Sequence, residues 1–224
     1  MRRLARVWLY SGPLLLYAVM PGLLEAARPA GQRGPQVIPV QRAHASADDL
    51  APGIFLIADK DLPDPNFAES VVLLVDYNDK GAMGLMVNRR SKVPLSRLFP
   101  QAKEAKNGSD PIFAGGPVEG TAGFGILRSR TKPEESKSIF SDVYMITTKA
   151  QLEKTVAAGK ESSVFRVYLG YCGWGSAQLE REVEAGAWHI LPANAGVVFD
   201  DDPDSVWSRL IRKMELRIAL FSVP

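Results

Sequence analysis

Residues 168–180 read YLGYCGWGSAQLE, and the architecture of the chain depends on how this segment folds. The residues up to Leu169 are rich in β-branched and aromatic side chains, which predicts a strand over Ser163–Leu169. Three glycines then alternate with larger residues and predict that the strand breaks there, because glycine allows backbone conformations that other residues avoid. Ser176 is expected to cap a helix that continues to Ala185.

A tryptophan stands between two of these glycines. Trp174 is expected to be buried between the helix that begins at Ser176 and a curved sheet, where one ring would fix the angle between the two elements. The alternative is that Trp174 lines a pocket and stacks on a ligand. A tight structural turn is the simpler interpretation of the segment, although a strand–helix junction also presents backbone N–H groups that can bind anions.

The first 47 residues differ in composition from the rest and are expected to lie outside the fold. Met1–Arg6 is basic, and Val7–Leu24 is uncharged and mostly apolar, which is typical of a secretory signal or a membrane anchor. Pro13 and Pro21 make this leader a poor spanning helix. We expect an exported or anchored protein that meets the membrane only through the leader. A transit peptide and a start codon assigned too far upstream are the alternatives, and the latter would leave a cytoplasmic protein.

The remaining residues, 48–224, are predicted to form one domain. Six of the 27 basic and one of the 25 acidic residues lie in the leader, which leaves 21 basic and 24 acidic residues. This mildly acidic domain argues against nucleic acid as a partner. The single cysteine, Cys172, and the single histidine outside the leader, His189, predict neither a disulfide nor a metal site, and no cofactor motif is present.

Short apolar runs predict most of the secondary structure. Strands dominate the first half and helices follow without regular alternation, which predicts an α+β fold with a mixed, strongly curved sheet and a few packed helices. Gln101–Asp110 and Thr131–Ser138 are expected to be exposed loops. A helical turn is predicted over Pro94–Phe99, a helix from the Thr148 cap to Gly159, and a last helix capped by Asp202. The other predicted strands are Gly53–Ala58, Ser70–Val75, Ala82–Asn88, Pro111–Ala114, Phe124–Leu127, Val143–Ile146, Ala187–Leu191 and Val197–Phe199.

Five ordered blocks of this sequence resemble the AlgH/YqgE family, and together they span nearly all of Asp48–Met214. The resemblance implies a compact α+β domain whose bifurcated sheet folds into a pseudo-barrel. It implies no reaction, since members carry a transcriptional-regulator label and no activity is established for the family. The blocks are Gly53–Ala58, Asp64–Leu74, Gly81–Asn88, Phe113–Val118 and Gly170–Glu180.

The chain departs from the family pattern at four positions. Tyr77 and Arg128 stand where histidines are common, so chemistry that needs paired histidines is not expected. Cys172 replaces a usual alanine, and Ala177 replaces a usual glycine. The family is also mostly cytoplasmic, which is at odds with the leader.

One catalytic hypothesis follows from the sequence, a small hydrolase or transferase. Cys172 lies in the segment Gly170–Trp174, whose spacing misses the nucleophile-elbow pattern only at its last residue. His189 would be the base, oriented by Asp142 or Glu180. The simpler interpretation is that Cys172 is a buried apolar residue and His189 a surface residue of a strand.

The favoured hypothesis is a non-enzymatic binding or regulatory domain whose partner is a small ligand or a protein. Polar residues at strand ends predict a ligand cleft, since loops on a rigid scaffold often carry function. A Gly-Gly-Pro turn can present amides to an anion, although a rigid turn between strands is the alternative and no phosphate-binding lysine follows. The predicted cleft residues are Asp64, Asn66, Ser70, Asn88, Arg89, Gly115, Gly116, Trp174 and Gln178.

Overall fold

A computed structural model describes residues 46–100 and 107–221, with side chains up to residue 216. Residues 1–45 of the leader and most of the predicted loop Gln101–Asp110 lie outside the described residues, whereas Ser46 and Ala47, which were predicted to lie outside the fold, cap and begin a 3-10 turn. Among the helices within those ranges, none has both the length and the hydropathy needed to cross a membrane.

Strands and helices are mixed along the described chain, which confirms the predicted α+β class. The strands are β1 (Ile54–Ala58), β2 (Val71–Asn78), β3 (Gly81–Met86), β4 (Arg90–Pro94), β5 (Pro111–Ala114), β6 (Val118–Arg128), β7 (Ser136–Phe140), β8 (Val143–Ile146), β9 (Phe165–Gly175) and β10 (Trp188–Pro192). The helices are α1 (Leu95–Leu98), α2 (Lys149–Ala157), α3 (Gln178–Glu184), α4 (Ala195–Val198) and α5 (Val206–Phe221). Short 3-10 turns cover Ala47–Asp49 and Pro203–Ser205.

The sheet forks at β9. Its main path runs β10-β1-β2-β3-β9-β6-β8-β7, and β4 joins through β5. One edge of β9 is shared by two strands: β5 runs parallel to residues 168–169, and β3 runs antiparallel to residues 172–175. Strand β6 covers the other edge. This fork is the bifurcated sheet that the family resemblance implied.

The sheet curls into a half-barrel, so that β7 returns to the first strands. Lys137 on β7 forms an ion pair with Asp76 on β2, with 2.5 Å between Nζ and Oδ1. Gly53, just before β1, lies so close to β7 that an added Cβ would be 3.0 Å from the Cβ of Phe140. The predicted strong curvature is therefore confirmed.

Two apolar clusters lie on opposite faces of the first strands, because side chains alternate along a strand. Phe55 and Ile57 of β1 point into the cluster that α5 covers, whereas Leu56 and Ala58 point into the cluster that α3 covers. Burial on both faces explains the continuous apolar run of β1. The predicted apolar stripe of the last helix also contacts the first cluster, through Val206, Trp207, Leu210, Ile211 and Met214.

The predicted break at the glycines of residues 170–175 is wrong, because β9 continues through them to Gly175. Gly170 takes a left-handed φ of +70° while remaining in the strand, and the pairing with β6 is irregular there. The helix begins two residues later than predicted, at Gln178, and its N-cap is Ala177. Ser176 does not cap it, because its hydroxyl donates to the carbonyl of Asp79 in the β2–β3 turn at 2.7 Å.

Three other local predictions differ from the structure. The apolar run Val197–Phe199 is not a strand, since α4 covers Ala195–Val198 and the Asn194 side chain caps it. Part of the predicted loop Thr131–Ser138 is β7, which the curled sheet recruits as an edge strand. Asp202 precedes a 3-10 turn rather than capping α5 with its side chain.

Candidate functional site

The loop between β1 and β2 carries the first predicted cleft residues, and its own turns shape it. The carboxylate of Asp64 accepts from the backbone N–H of Asn66 at 2.8 Å. The hydroxyl of the fully buried Ser70 donates to the carbonyl of Phe67 at 2.7 Å. Asp64 and Ser70 therefore act first as turn residues, as the composition of the loop indicates.

Two residues that follow β3 form hydrogen bonds with the backbone of this loop and of the start of β2. The Asn88 side chain accepts from Val71 N–H at 2.8 Å and donates its amide to the carbonyl of Glu69 at 2.9 Å. The Arg89 guanidinium donates to the carbonyl of Ala68 at 2.9 Å. Glu69 itself has a left-handed φ of +56°, which is uncommon for a residue with a Cβ.

Trp174 is buried beside this loop, which confirms its predicted burial between α3 and the sheet. Its side chain is 6% exposed and belongs to the cluster that also contains Leu179 of α3. Its ring centroid lies 6.1 Å from that of Phe67 and 6.0 Å from that of Trp188. Phe67 thus joins the loop to the tryptophan pair.

The carboxylate of Glu182 accepts hydrogen bonds from both tryptophans and from Gln178. Glu182 Oε2 accepts from the indole N–H of both Trp174 and Trp188 at 2.9 Å. Glu182 Oε1 accepts from the side-chain amide of Gln178 at 2.9 Å, and Gln178 Oε1 accepts from Gly175 N–H at 3.1 Å. The sequence analysis missed Glu182, although its spacing of four residues from Gln178 on a helix is a usable signal.

Gly115 and Gly116 lie at the fork of the sheet. The N–H of Gly115 donates to the carbonyl of Leu169 at 2.7 Å, so this amide is used within the protein. A Cβ on Gly115 would lie 2.3 Å from the carbonyl oxygen of Gly170, and one on Gly116 would lie 2.1 Å from the carbonyl carbon of Tyr171. Both positions require glycine for close backbone approach, as the rigid-turn alternative held.

Cys172 is fully buried in the apolar cluster that α3 covers. Its thiol donates to the carbonyl of Gly115 at 3.4 Å. Burial raises the pKa of the thiol to about 12, and the positive charge of Arg89 only partly opposes this. A thiol with a raised pKa has little thiolate at neutral pH and is a poor nucleophile.

The structure does not assemble the predicted catalytic group around this thiol. His189 pairs with Ile57, so it lies on the face of the α5 cluster, opposite the cluster of Cys172. Its Nε2 lies 2.9 Å from Asp59 Oδ2. The two predicted orienting acids have other partners: Asp142 accepts from Arg128 at 2.8 Å, and Glu180 accepts from the Tyr77 hydroxyl at 2.7 Å.

The predicted cleft residues form two connected groups. Asp64, Asn66, Ser70, Asn88 and Arg89 meet at the β1–β2 loop, and Phe67 links them to Trp174. Glu182 in turn connects Trp174 to Gln178. Gly115 and Gly116 join through β5, since Ala114 N–H donates to the carbonyl of Arg89. Within residues 46–100 and 107–216 no cluster of three or more His, Cys, Asp or Glu side chains has the arrangement of a metal site.

A small α+β domain with a forked, half-barrel sheet is the class of protein that these observations define. The family model described as AlgH-like matches residues 55–219. This chain belongs to the AlgH-like family. It is 33% identical over 171 residues to a UPF0301 protein of Thioalkalivibrio sulfidiphilus, covering 75% of this chain and 91% of that protein. It is 37% identical over 152 residues to a UPF0301 protein of Hahella chejuensis, covering 67% and 81%.

Solved structures share the fold. The solution structure of the AlgH protein from Pseudomonas aeruginosa matches with a TM-score of 0.62 and 32% identity, over 77% of this chain and 93% of that one. A crystal structure of a Corynebacterium diphtheriae protein matches with a TM-score of 0.64 over 79% of this chain and 93% of that one. The second is 22% identical and bears on the fold alone. No biochemical activity is established for the family.

Proposed function

We propose that this protein is a non-enzymatic binding domain whose recognition surface is the outer side of loop 64–69 together with Arg89. The observation that carries this proposal is the way the loop is held. Asn88 and Phe67 hold the inner side of the loop, whereas Asn66 and Glu69 face solvent. A rigid loop with a left-handed glutamate is a strained, pre-organised element, and such elements concentrate at functional sites.

Arg89 supplies the charge of the proposed surface. Among the described residues its side chain makes one hydrogen bond, to Ala68, and it is half-buried. A guanidinium presents five N–H donors in a planar fork that suits carboxylates and phosphates. The ligand would therefore carry an anionic group, either as a small molecule or as a side chain of a partner protein.

Catalysis by Cys172 has less support than binding. The thiol is buried, its pKa is raised, and His189 lies on the opposite face of the sheet. We expect slow alkylation of Cys172 by iodoacetamide at neutral pH in the native protein, and unchanged ligand binding in Cys172→Ala. Rapid labelling that abolishes a measured turnover would favour the hydrolase or transferase alternative.

The test is a nitrogen-15 NMR titration of the protein with inorganic phosphate and, separately, with citrate. The Arg89 side-chain N–H and the amides of loop 64–69 should shift together and saturate. Arg89→Gln should abolish the shifts, Arg89→Lys should weaken them, and Arg212→Ala on the exposed side of α5 should leave them unchanged. Saturable shifts that persist in Arg89→Gln would place the ligand elsewhere. A salt-sensitive gel shift of duplex DNA would contradict the expectation that nucleic acid is not a partner.

We also propose that the leader exports or anchors the protein. The support is its basic start followed by the uncharged apolar segment Val7–Leu24. Mass spectrometry of the mature protein, with fractionation of the cells that make it, tests this. An intact N-terminus in the soluble cytoplasmic fraction would contradict it.

A further inference from the structure

A cavity of about 190 Å³ opens between α5 and the edge of the sheet, on the side of the molecule that Cys172 does not face. The buried ring of Phe55 forms part of its lining. Leu191, Leu210 and Met214, which are partly exposed, and the exposed Pro192 complete the apolar lining. This apolar surface stays in contact with water unless a ligand covers it.

Contacts near the start of α5 hold this helix against the rest of the domain. The indole N–H of Trp207 donates to the carbonyl of Ala58 at 2.8 Å, which ties the start of α5 to the end of β1. Arg209 forms an ion pair with Asp200 at 2.7 Å. The cavity lies along the next turns of the same helix.

Among the described residues, Asn194 and Lys213 are the polar side chains that line the cavity. Lys213 lies on α5, and Asn194 lies just after β10. Among the ion pairs of the described residues none involves Lys213, and the neighbouring acid Glu215 pairs with Lys60 instead. Lys213 is the one cationic residue among the described residues that line the cavity, and apolar walls with a cation complement an alkyl chain that ends in a carboxylate.

We infer that this cavity binds a short-chain or medium-chain monocarboxylate, with the alkyl chain against Phe55 and Met214 and the carboxylate at Lys213. The volume is several times the roughly 30 Å³ that one water molecule occupies in the liquid, so a chain of several methylenes fits. The long, flexible side chain of Met214 can adjust to chains of different length. This site is separate from loop 64–69 and stands whether or not the proposed recognition surface does.

Octanoate is the probe, and the reporter is the methyl resonance of Met214 in full-length protein labelled with methyl-carbon-13 methionine. We expect a saturable shift, and an affinity that rises about fourfold per methylene from butyrate to octanoate. Lys213→Ala should weaken octanoate by about two- to fivefold, whereas Arg212→Ala, one residue away and outside the lining, should leave its affinity unchanged.

Leu210→Trp should fill the cavity and abolish binding, with an unchanged urea midpoint as the check that the variant folds. If that variant is unstable, Leu191→Phe serves the same purpose. The inference is overturned if the Met214 methyl does not respond, or if both cavity-filling variants bind octanoate as the wild type does. Equal affinity for octanol and octanoate overturns the role of Lys213 and with it the assignment of a carboxylate ligand.

Discussion

Ala177 occupies a backbone conformation that its side chain disfavours. Its φ is +56° and ψ is 10°, and it makes no side-chain cap to α3. A residue with a Cβ loses about 1–2 kcal/mol in this left-handed region, whereas glycine gains about 0.4–1 kcal/mol of extra freedom in the unfolded chain. Ala177→Gly should therefore raise the free energy of unfolding by about 0.5–1 kcal/mol, measured by urea denaturation. The resemblance to the AlgH/YqgE family, which has glycine here, agrees with this direction.

Ala185 at the other end of α3 is the matched control. Its φ of −74° suits alanine, so Ala185→Gly should lower the free energy of unfolding instead. If both substitutions destabilise the protein equally, left-handed strain at Ala177 is not the cause.

Cys172 should make stability fall in mild alkali. Its pKa is raised to about 12 in the folded protein from 9.0 in the unfolded chain, so the unfolded chain loses its proton first as pH rises. The contribution is complete below the unfolded pKa of 9.0 and is lost progressively up to about 12. Between pH 9 and pH 10 the free energy of unfolding should drop by about 1 kcal/mol.

Urea titrations of wild type and Cys172→Ala at several pH values across this interval measure the effect. The variant should lack this component of the slope. Tyrosine ionisation contributes little below pH 10, although burial also raises the pKa of Tyr168. Parallel slopes for the two proteins would contradict a buried neutral thiol.

At the scale of elements, the Asn88 side chain connects the end of β3 to loop 64–69 and to the start of β2 through hydrogen bonds. It satisfies Val71 N–H and the Glu69 carbonyl, which lie on the chain entering β2. Asn88→Ala would leave both groups without their partners, at a cost of about 1–3 kcal/mol for the buried Val71 N–H and less for the carbonyl of Glu69, which is an exposed residue. We expect a loss of about 1–3 kcal/mol in the free energy of unfolding.

Asn78 supplies the matched control for this substitution. Its side chain accepts from Lys80 N–H at 2.9 Å in an exposed turn, so Asn78→Ala should cost less than about 1 kcal/mol. Faster amide exchange of loop 64–69 in Asn88→Ala alone would show that Asn88 holds the loop. Equal effects of the two variants would refute that role.

Elements with strong local patterns were predictable from sequence. The apolar runs of β1 and β2 and the turn between β2 and β3 lie where the pattern places them. The path of β9 through its glycines was not predictable, because β3, β5 and β6 stabilise that extended backbone from distant parts of the chain. Residues 197–198 have strand propensity, yet the Asn194 cap and tertiary packing place them in α4.

The candidate site was likewise predictable only in part from the sequence. Asn88 was predicted as a cleft residue from its place at a strand end, and its side chain bonds the backbone of loop 64–69 and of β2, which is a structural role; a ligand role for it stays a prediction. The sequence could not predict that Trp174 and Trp188 both donate to Glu182, because these hydrogen bonds depend on how α3 packs against β9 and β10. The hypothesis of a catalytic pair of Cys172 and His189 is not supported, because side chains alternate along a strand and these two lie on opposite faces of the sheet.

At the scale of the whole molecule, Gly53 limits how tightly the half-barrel closes. Its φ is +89°, and a Cβ would lie 3.0 Å from the Cβ of Phe140 and 3.1 Å from the carbonyl oxygen of Ile139. Gly53→Ala combines left-handed strain with overpacking against β7, so we expect a loss of about 2–4 kcal/mol. Denaturation in urea measures the loss. Gly120→Ala, where a Cβ meets nothing within 4 Å, should cost less than about 0.5 kcal/mol, and equal losses would argue against close packing at Gly53.

The fork at β9 also sets the timing of folding during synthesis. Strands β1, β2 and β3 are complete at Met86, but the strand that covers the open edge of β3 ends at Gly175, about 90 residues later. At roughly 5–20 residues per second the ribosome needs about 5–20 s to supply it. Throughout that interval the nascent chain presents an apolar hairpin with an unpaired edge, which is the kind of surface that aggregates or recruits chaperones. Slower translation between β3 and β9 should therefore lower the soluble yield, even though the finished protein is the same.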